Sequence, residues 1–183
     1  MRSTAEALGL VREFAAAPEE EKSRELILSL LEYTQTPFSR HQFHPGHITC
    51  TAVVRHPERD AVLLMFHHRH QRWLLPGGHV EEEDATLGDA ARREAMEETS
   101  VRIAPGAAAL LAGMDVHGIP ARKREPFHLH HDLVFAFTAQ SEALETSEEA
   151  PRVAWCGSTE FDRYQTPASI RRAAARALEI KSR

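Results

Sequence analysis

The sequence predicts an α/β or α+β sandwich, a mixed β-sheet held between helices. Three observations predict it. Short β-branched, apolar runs punctuated by turn residues recur between His47 and Gly157, and they read as strands. Segments with helical apolar spacing stand before, among and after those runs. The chain has 183 residues, 42% of them hydrophobic, which suits one globular domain with a real core and a helical extension.

The elements follow in chain order. Residues 1 to about 36 read as helical: "TAEALGLVREFAA" places Leu8, Val11 and Phe14 near helical spacing. Pro18 restarts the chain at a first helical position, with Glu19, Glu20 and Glu21 where the helix dipole favours acids. "RELILSLLEY" continues it with an apolar stripe of Leu26, Ile27, Leu30, Leu31 and Tyr33. Pro37 to Gly46 is a linker rich in turn formers, so residues 1–40 form an N-terminal extension and 41–183 the main domain. "HITCTAVVR" and "AVLLMFHHR" flank the turn "HPERD" and read as a hairpin, and "RWLL" is a further short strand. Pro76-Gly77-Gly78 reads as a turn whose glycines can take positive φ or let a ligand approach the main chain. A helix is expected from about Asp84 to Thr99, with Asp84 as a good N-cap. "AAALLAGMDVHGI" fits strand or helix, whereas "HLHHDLVFAFTA" is a strong strand. "SEALETSEEAP" is an acidic loop, "RVAWCG" a short strand, and "TPASIRRAAARALEIK" a helix opened by Thr166-Pro167, with Arg171, Arg172 and Arg176 on a solvated face.

Composition narrows the function. A net charge of −5 gives no electrostatic case for nucleic acid, so a phosphorylated substrate needs local positive charge or metal ions. Cys50 and Cys156 are too few for a disulfide framework, and no Cys-x-x-Cys pair suggests zinc; Cys50 reads as a small buried hydrophobe. No uninterrupted apolar run reaches membrane-spanning length, and the N-terminus lacks a signal-peptide core, so a cytoplasmic protein is expected. Ten of the twelve histidines fall inside the chain at 41–47, 67–70, 79 and 128–131, so they are not a tag.

The helix before Ser100 carries the chemistry. Glu94, Glu97 and Glu98 stand at i, i+3 and i+4 and share one face. Like charges so placed cost about 0.2–0.5 kcal/mol per pair, and a hard divalent cation removes that cost because it prefers oxygen ligands. Arg93 could orient a carboxylate or grip a phosphate. The other face, with Leu87, Ala90, Ala91, Ala95 and Met96, would lie against the sheet.

Taken with the glycines before it, this helix resembles the Nudix box: Gly, five residues, Glu, seven residues, Arg-Glu, an aliphatic residue, any residue, Glu-Glu, any residue, Gly, an aliphatic residue. Gly78 stands at the first glycine, Arg93-Glu94-Ala95-Met96-Glu97-Glu98 at the centre and Val101 at the end. Three departures stand out. Asp84 replaces Glu, eight residues rather than seven separate it from Arg93, and Ser100 replaces the later glycine. A left-handed Ser there costs about 1 kcal/mol relative to Gly. The extra residue belongs in the loop before the helix, where insertion is cheap.

The resemblance spans about residues 50 to 165. It implies an α/β/α sandwich around a mixed β-sheet and metal-dependent hydrolysis of a pyrophosphate bond in a nucleoside diphosphate linked to another group. The implied cofactor is Mg²⁺ or Mn²⁺, held by Gly78, Glu94, Glu97, Glu98 and Glu149, with Arg93, Glu94, Glu97 and Glu98 as the catalytic set. Arg69 and Arg72 could contact phosphate, Trp73 could stack on a base or sit at the core edge, and His131 or the His130–Asp132 pair could meet substrate. The implied partner is a nucleotide-type small molecule, with neither nucleic acid nor membrane, and the N-terminal helices could make a homodimer. A related binding module without turnover is the alternative, and the retained glutamates argue against it. An isoprenoid diphosphate isomerase would need a paired-cysteine strand motif that is not seen, and the four-cysteine zinc site of the NADH-cleaving group is excluded.

Overall fold

The computed structural model describes residues 3–122 and 125–180. Among them are helices α1 (Thr4–Glu13), α2 (Glu21–Tyr33), α3 (Leu87–Thr99) and α4 (Ala168–Glu179). The strands are β1 (Gly46–Arg55), β2 (Ala61–His67), β3 (Arg72–Leu74), β4 (Gly77–His79), β5 (Leu110–Ile119), β6 (His128–Thr138) and β7 (Arg152–Gly157).

The strands form one sheet in the order β3-β2-β1-β6-β5, with β4 also paired to β1 and β7 to β2. The β1–β6 pair at its centre is parallel and the others are antiparallel, which makes the sheet mixed. Alternation along the strands sorts side chains onto two faces. Ile48, Cys50, Ala52 and Val54 of β1, with Leu133, Phe135 and Phe137 of β6, meet Ala7, Val11, Ile27, Leu30, Leu31, Leu87, Ala90, Ala91 and Ala95 of α1, α2 and α3. On the opposite face Val53, Val62, Leu64, Val134, Ala136 and Cys156 meet Ala173, Ala174 and Ala177 of α4. The result is an α/β/α sandwich around a mixed sheet, as expected. The alanines let α3 and α4 lie close to the strands. No helix of the described residues is long and apolar enough to cross a membrane.

Several local expectations change. The region 107–119 resolves as strand β5 from Leu110, because antiparallel pairing with β6 overrides its helix-compatible composition. The N-terminal helix is broken in two at residues 14–20, and α2 begins at Glu21 rather than just after Pro18. Gly77 and Gly78 are not a turn. They are strand residues paired with Thr51 and Cys50, and neither has positive φ. Their small size is what the fold requires. A Cβ on Gly77 would lie 2.7 Å from the Cys50 carbonyl oxygen, and one on Gly78 would lie 2.7 Å from the Glu94 carboxyl carbon.

Arg176 does not lie on a solvated face. Its guanidinium donates to Glu20 Oε1 at 2.8 Å and to the Ala112 carbonyl at 3.0 Å. Glu20 is 2% exposed and also accepts the Ala17 N–H. Burial alone would raise the Glu20 pKa, but these hydrogen bonds and the Arg176 charge outweigh it and hold the carboxyl below its usual range. The pair links the start of α2 to the last turn of α4 across the edge of β5. Breaking a buried ion pair by removing one partner costs about 3–5 kcal/mol. Arg176→Met should therefore lower stability by about 3 kcal/mol in urea unfolding. A loss under about 0.5 kcal/mol, the scale of ordinary surface changes, would show that the pair does not brace the fold.

Candidate active site

Helix α3 starts at Leu87, three residues after the acidic run ends at Asp84. Thr86, not Asp84, is its N-cap: the Thr86 Oγ1 accepts the Asp89 N–H at 3.0 Å and donates to Asp89 Oδ2 at 2.9 Å. The helix ends at Ser100, which takes the left-handed conformation (φ 53°) and donates its N–H to the Met96 carbonyl at 2.9 Å. The serine thus fills the glycine position despite its Cβ. Met96, expected against the sheet, is 41% exposed.

Asp84 instead works inside the loop between β4 and α3. It is 7% exposed, accepts the Glu81 N–H at 2.8 Å, and takes both Nε and Nη2 of Arg93 at 3.0 Å. Arg93 also donates Nη2 to the His79 carbonyl at 2.9 Å, and Nη1 to Glu94 Oε1 at 2.9 Å and to Glu97 Oε2 at 3.1 Å. One guanidinium thus ties the loop, β4 and the acidic face of α3. The hydrogen bonds Arg93 donates to Asp84, opposed by burial and joined by the one to Glu94, push its pKa well up.

The three glutamates share one face of α3 with graded burial. Glu98 is 5% exposed and accepts the Gly77 N–H at 2.9 Å, while the Glu97 side chain is 60% exposed. Glu94 abuts Gly78. Burial, opposed by its Arg93 contacts and reinforced by the Glu97 and Glu149 charges, raises the Glu94 pKa. Burial also pushes Glu98 up to about 8, against the Gly77 hydrogen bond and with repulsion from Glu94, Glu149 and Glu97. Glu149, in the loop before β7, is thus brought close enough to act on both, and its carbonyl accepts the His68 N–H at 2.9 Å. Among the described residues, Glu94, Glu97 and Glu98 do not bring one oxygen each within 4.8 Å of one another, although one Arg93 nitrogen, Nη1, bridges Glu94 and Glu97. The donor set still fits a hard cation: oxygen only, net negative, with a buried carboxyl whose ionisation needs positive charge.

The other candidate residues lie around this centre. Arg69 pairs with Glu125 at 3.6 Å, and Arg72 is exposed at the start of β3. Trp73 packs edge-on against Tyr164 (centroids 4.9 Å apart) and Phe66 (5.8 Å) on the α4 side of the sheet, opposite α3. His131 is 1% exposed, and by strand alternation it shares the α3 face with Leu133 and Phe135. Asp132, on the other face, accepts the Thr49 hydroxyl at 2.9 Å. Around it stand His47, His79, His117 and His130, brought together from β1, β4, β5 and β6. Burial, followed by neighbouring positive charge, pushes His79 down to about 3 and His130 to about 2, so these rings are neutral. The sequence shows these histidines only as separate clusters. Period-two spacing of His128, His130 and Asp132 was the available signal for a shared face.

The NUDIX domain description matches residues 46–177. The chain belongs to the Nudix family. It is a Nudix-type enzyme, and the family's general reaction is hydrolysis of pyrophosphate bonds. No curated protein matches the chain in sequence. Among solved structures it is similar to a MutT protein from Bacillus halodurans, at 22% identity and TM-score 0.54, covering 72% of this chain and 82% of that one. A MutT protein from Methanosarcina mazei Go1 is similar at 22% identity and TM-score 0.51, covering 71% and 91%. An Ap4A hydrolase from C. elegans is similar at 16% identity and TM-score 0.51, covering 70% and 93%. At these identities the likeness is one of fold.

Two outcomes test the site. Gly78→Ala places a Cβ against the Glu94 carboxylate. It should weaken Mg²⁺ binding by about 10–100-fold, the scale of disturbing a group that supports a metal ligand, in calorimetric titration. Unchanged affinity would show that the Gly78–Glu94 contact is not needed. Glu98 supplies a pH signature. Its folded pKa lies above its unfolded value, so its share of the metal-free protein's stability is present below about pH 4.5 and is lost as pH rises toward about 8. Melting temperature should fall across that window, and Glu98→Gln should flatten the fall. The same slope in the variant would assign it to another group.

Proposed function

We propose that Glu94, Glu97 and Glu98 bind Mg²⁺ or Mn²⁺, aided by the Gly78 carbonyl and Glu149. In this reading the chain hydrolyses the pyrophosphate bond of a nucleoside diphosphate linked to another group. The observation that carries it is Glu98: a buried carboxyl fixed by the Gly77 N–H among three other acids, whose charge is costly without a cation. The bound metal would supply charge neutralisation at phosphate and a more acidic water.

The protein's own residues do the positioning. The Gly77 N–H holds one oxygen of Glu98 and so fixes that carboxyl on the face of α3 toward β4. Arg93, anchored on Asp84 and the His79 carbonyl, sets the Glu94 rotamer and keeps the loop against α3. Glu97 is exposed and can rotate away from Arg93 toward a ligand. Glu149, whose charge acts on Glu94 and Glu98, is the acid we assign to a ligand or base role. Arg69 and Arg72 offer positive charge at the same end of the sheet as β4. We assign residues 1–40 to a helical extension that braces the domain 41–183, and a nucleotide-type small molecule as the substrate.

A panel of nucleotide pyrophosphates tests the reading through Mg²⁺-dependent phosphate-ester release. The native protein should turn over at least one member. Glu97→Gln and Glu98→Gln should each reduce kcat by about 10²–10³-fold, the scale of removing one electrostatic stabiliser. Nucleotide binding without metal-dependent turnover on any member would favour a binding module. Native rates in both variants would remove these glutamates from the mechanism.

A further inference from the structure

The sheet face away from α3 carries a second donor set of a different chemical kind. Parallel register places His47 of β1 opposite His130 of β6, and β4 brings His79 alongside, paired with Thr49. Ring centroids lie 5.1 Å apart for His47–His79, 4.9 Å for His47–His130 and 5.3 Å for His79–His130. One nitrogen from each ring lies within 4.8 Å of the other two. Among the described residues, no other three His, Cys, Asp or Glu groups bring ligand atoms so close.

His47 makes this more than a cluster. It is 1% exposed, and its Nδ1 lies 3.1 Å from the Gln42 carbonyl oxygen. A carbonyl only accepts, so Nδ1 must carry the proton and Nε2 must carry a lone pair. That Nε2 is buried and has no hydrogen-bond partner. A buried acceptor left unsatisfied costs about 1–3 kcal/mol. A ring held by a carbonyl on one nitrogen and open on the other is the arrangement that orients a metal-binding histidine. His128 adds a neighbour: its Nδ1 bonds the Pro126 carbonyl at 2.9 Å, and its ring stacks on His47 at 5.2 Å.

We propose that His47, His79 and His130 form a binding site for a transition-metal ion, Zn²⁺ by its donor set, distinct from the carboxylate site on α3. Imidazole suits zinc, whereas Mg²⁺ prefers oxygen. Three nitrogens leave a fourth tetrahedral position for water or a ligand atom. Ligands about 2.0–2.1 Å from a tetrahedral zinc stand roughly 3.4 Å apart, so ring rotations of about an ångström would close the set. The two sites meet back to back at β4, where Gly78 faces Glu94 and His79, one residue on, faces His47.

The test is Zn²⁺ titration of chelator-treated full-length protein in excess Mg²⁺, which occupies oxygen sites. One Zn²⁺ per chain is expected. His79→Gln and His130→Asn should each weaken it by more than the roughly 10–100-fold that loss of an outer-shell partner causes, and Glu98→Gln should leave it unchanged. No zinc binding, or binding kept at native affinity by both histidine variants, overturns the proposal. X-ray absorption on the zinc-loaded native protein decides the matter even where a variant fails to fold. Three nitrogen neighbours at about 2.0–2.1 Å support the site, and an oxygen-only shell overturns it.

Discussion

The site depends on one guanidinium. Arg93 satisfies Asp84 in the loop, the His79 carbonyl in β4 and two glutamates on its own helix. A planar, permanently charged fork can serve several acceptors at fixed angles, and a lysine could not. Its consequences run outward. Asp84 becomes a strut that ties the loop to α3. The glutamates are held in place while their mutual repulsion is partly neutralised.

A second constraint is the central parallel pair of β1 and β6. Its register carries one row of side chains into the core beneath α1, α2 and α3, and the alternate row to the opposite face. That period of two gives one sheet two chemistries. On the α3 face small and apolar residues admit the acidic helix. On the other, near the starts of the same strands, histidines, Thr49 and Asp132 gather. Gly77 and Gly78 sit where these arrangements meet, and their lack of a side chain allows the helix carboxylates to reach β4. The N-terminal helices join the same apolar core as α3, and the Glu20–Arg176 pair secures them to the last helix.

Much of the fold was legible because periodicity states it directly. "HITCTAVVR" and "HLHHDLVFAFTA" can bury themselves only as strands, and Glu94, Glu97 and Glu98 can share a face only on a helix. Where local signals competed, context decided. Leu110–Ile119 took strand from their pairing with β6, and Thr86 took the cap while Asp84 is engaged by Arg93. Gly77-Gly78 looked like a turn since glycine is common in turns. In the structure their need is closeness, a property of what lies opposite, which the local sequence does not contain. Arg176 looked solvated because its partner lies far away in the chain, near its beginning.

By itself the sequence determined the composition of the acidic helix, its spacing from Gly78, the family those residues mark and the layered α/β class. These are local or periodic properties, written in consecutive residues. Only the tertiary structure decided what Arg93 grips, how deeply Glu98 is buried, that Glu149 lies near the cluster, and that His47, His79 and His130 converge. Each depends on the register and crossing of strands distant in sequence, and burial and charge act through space, not along the chain.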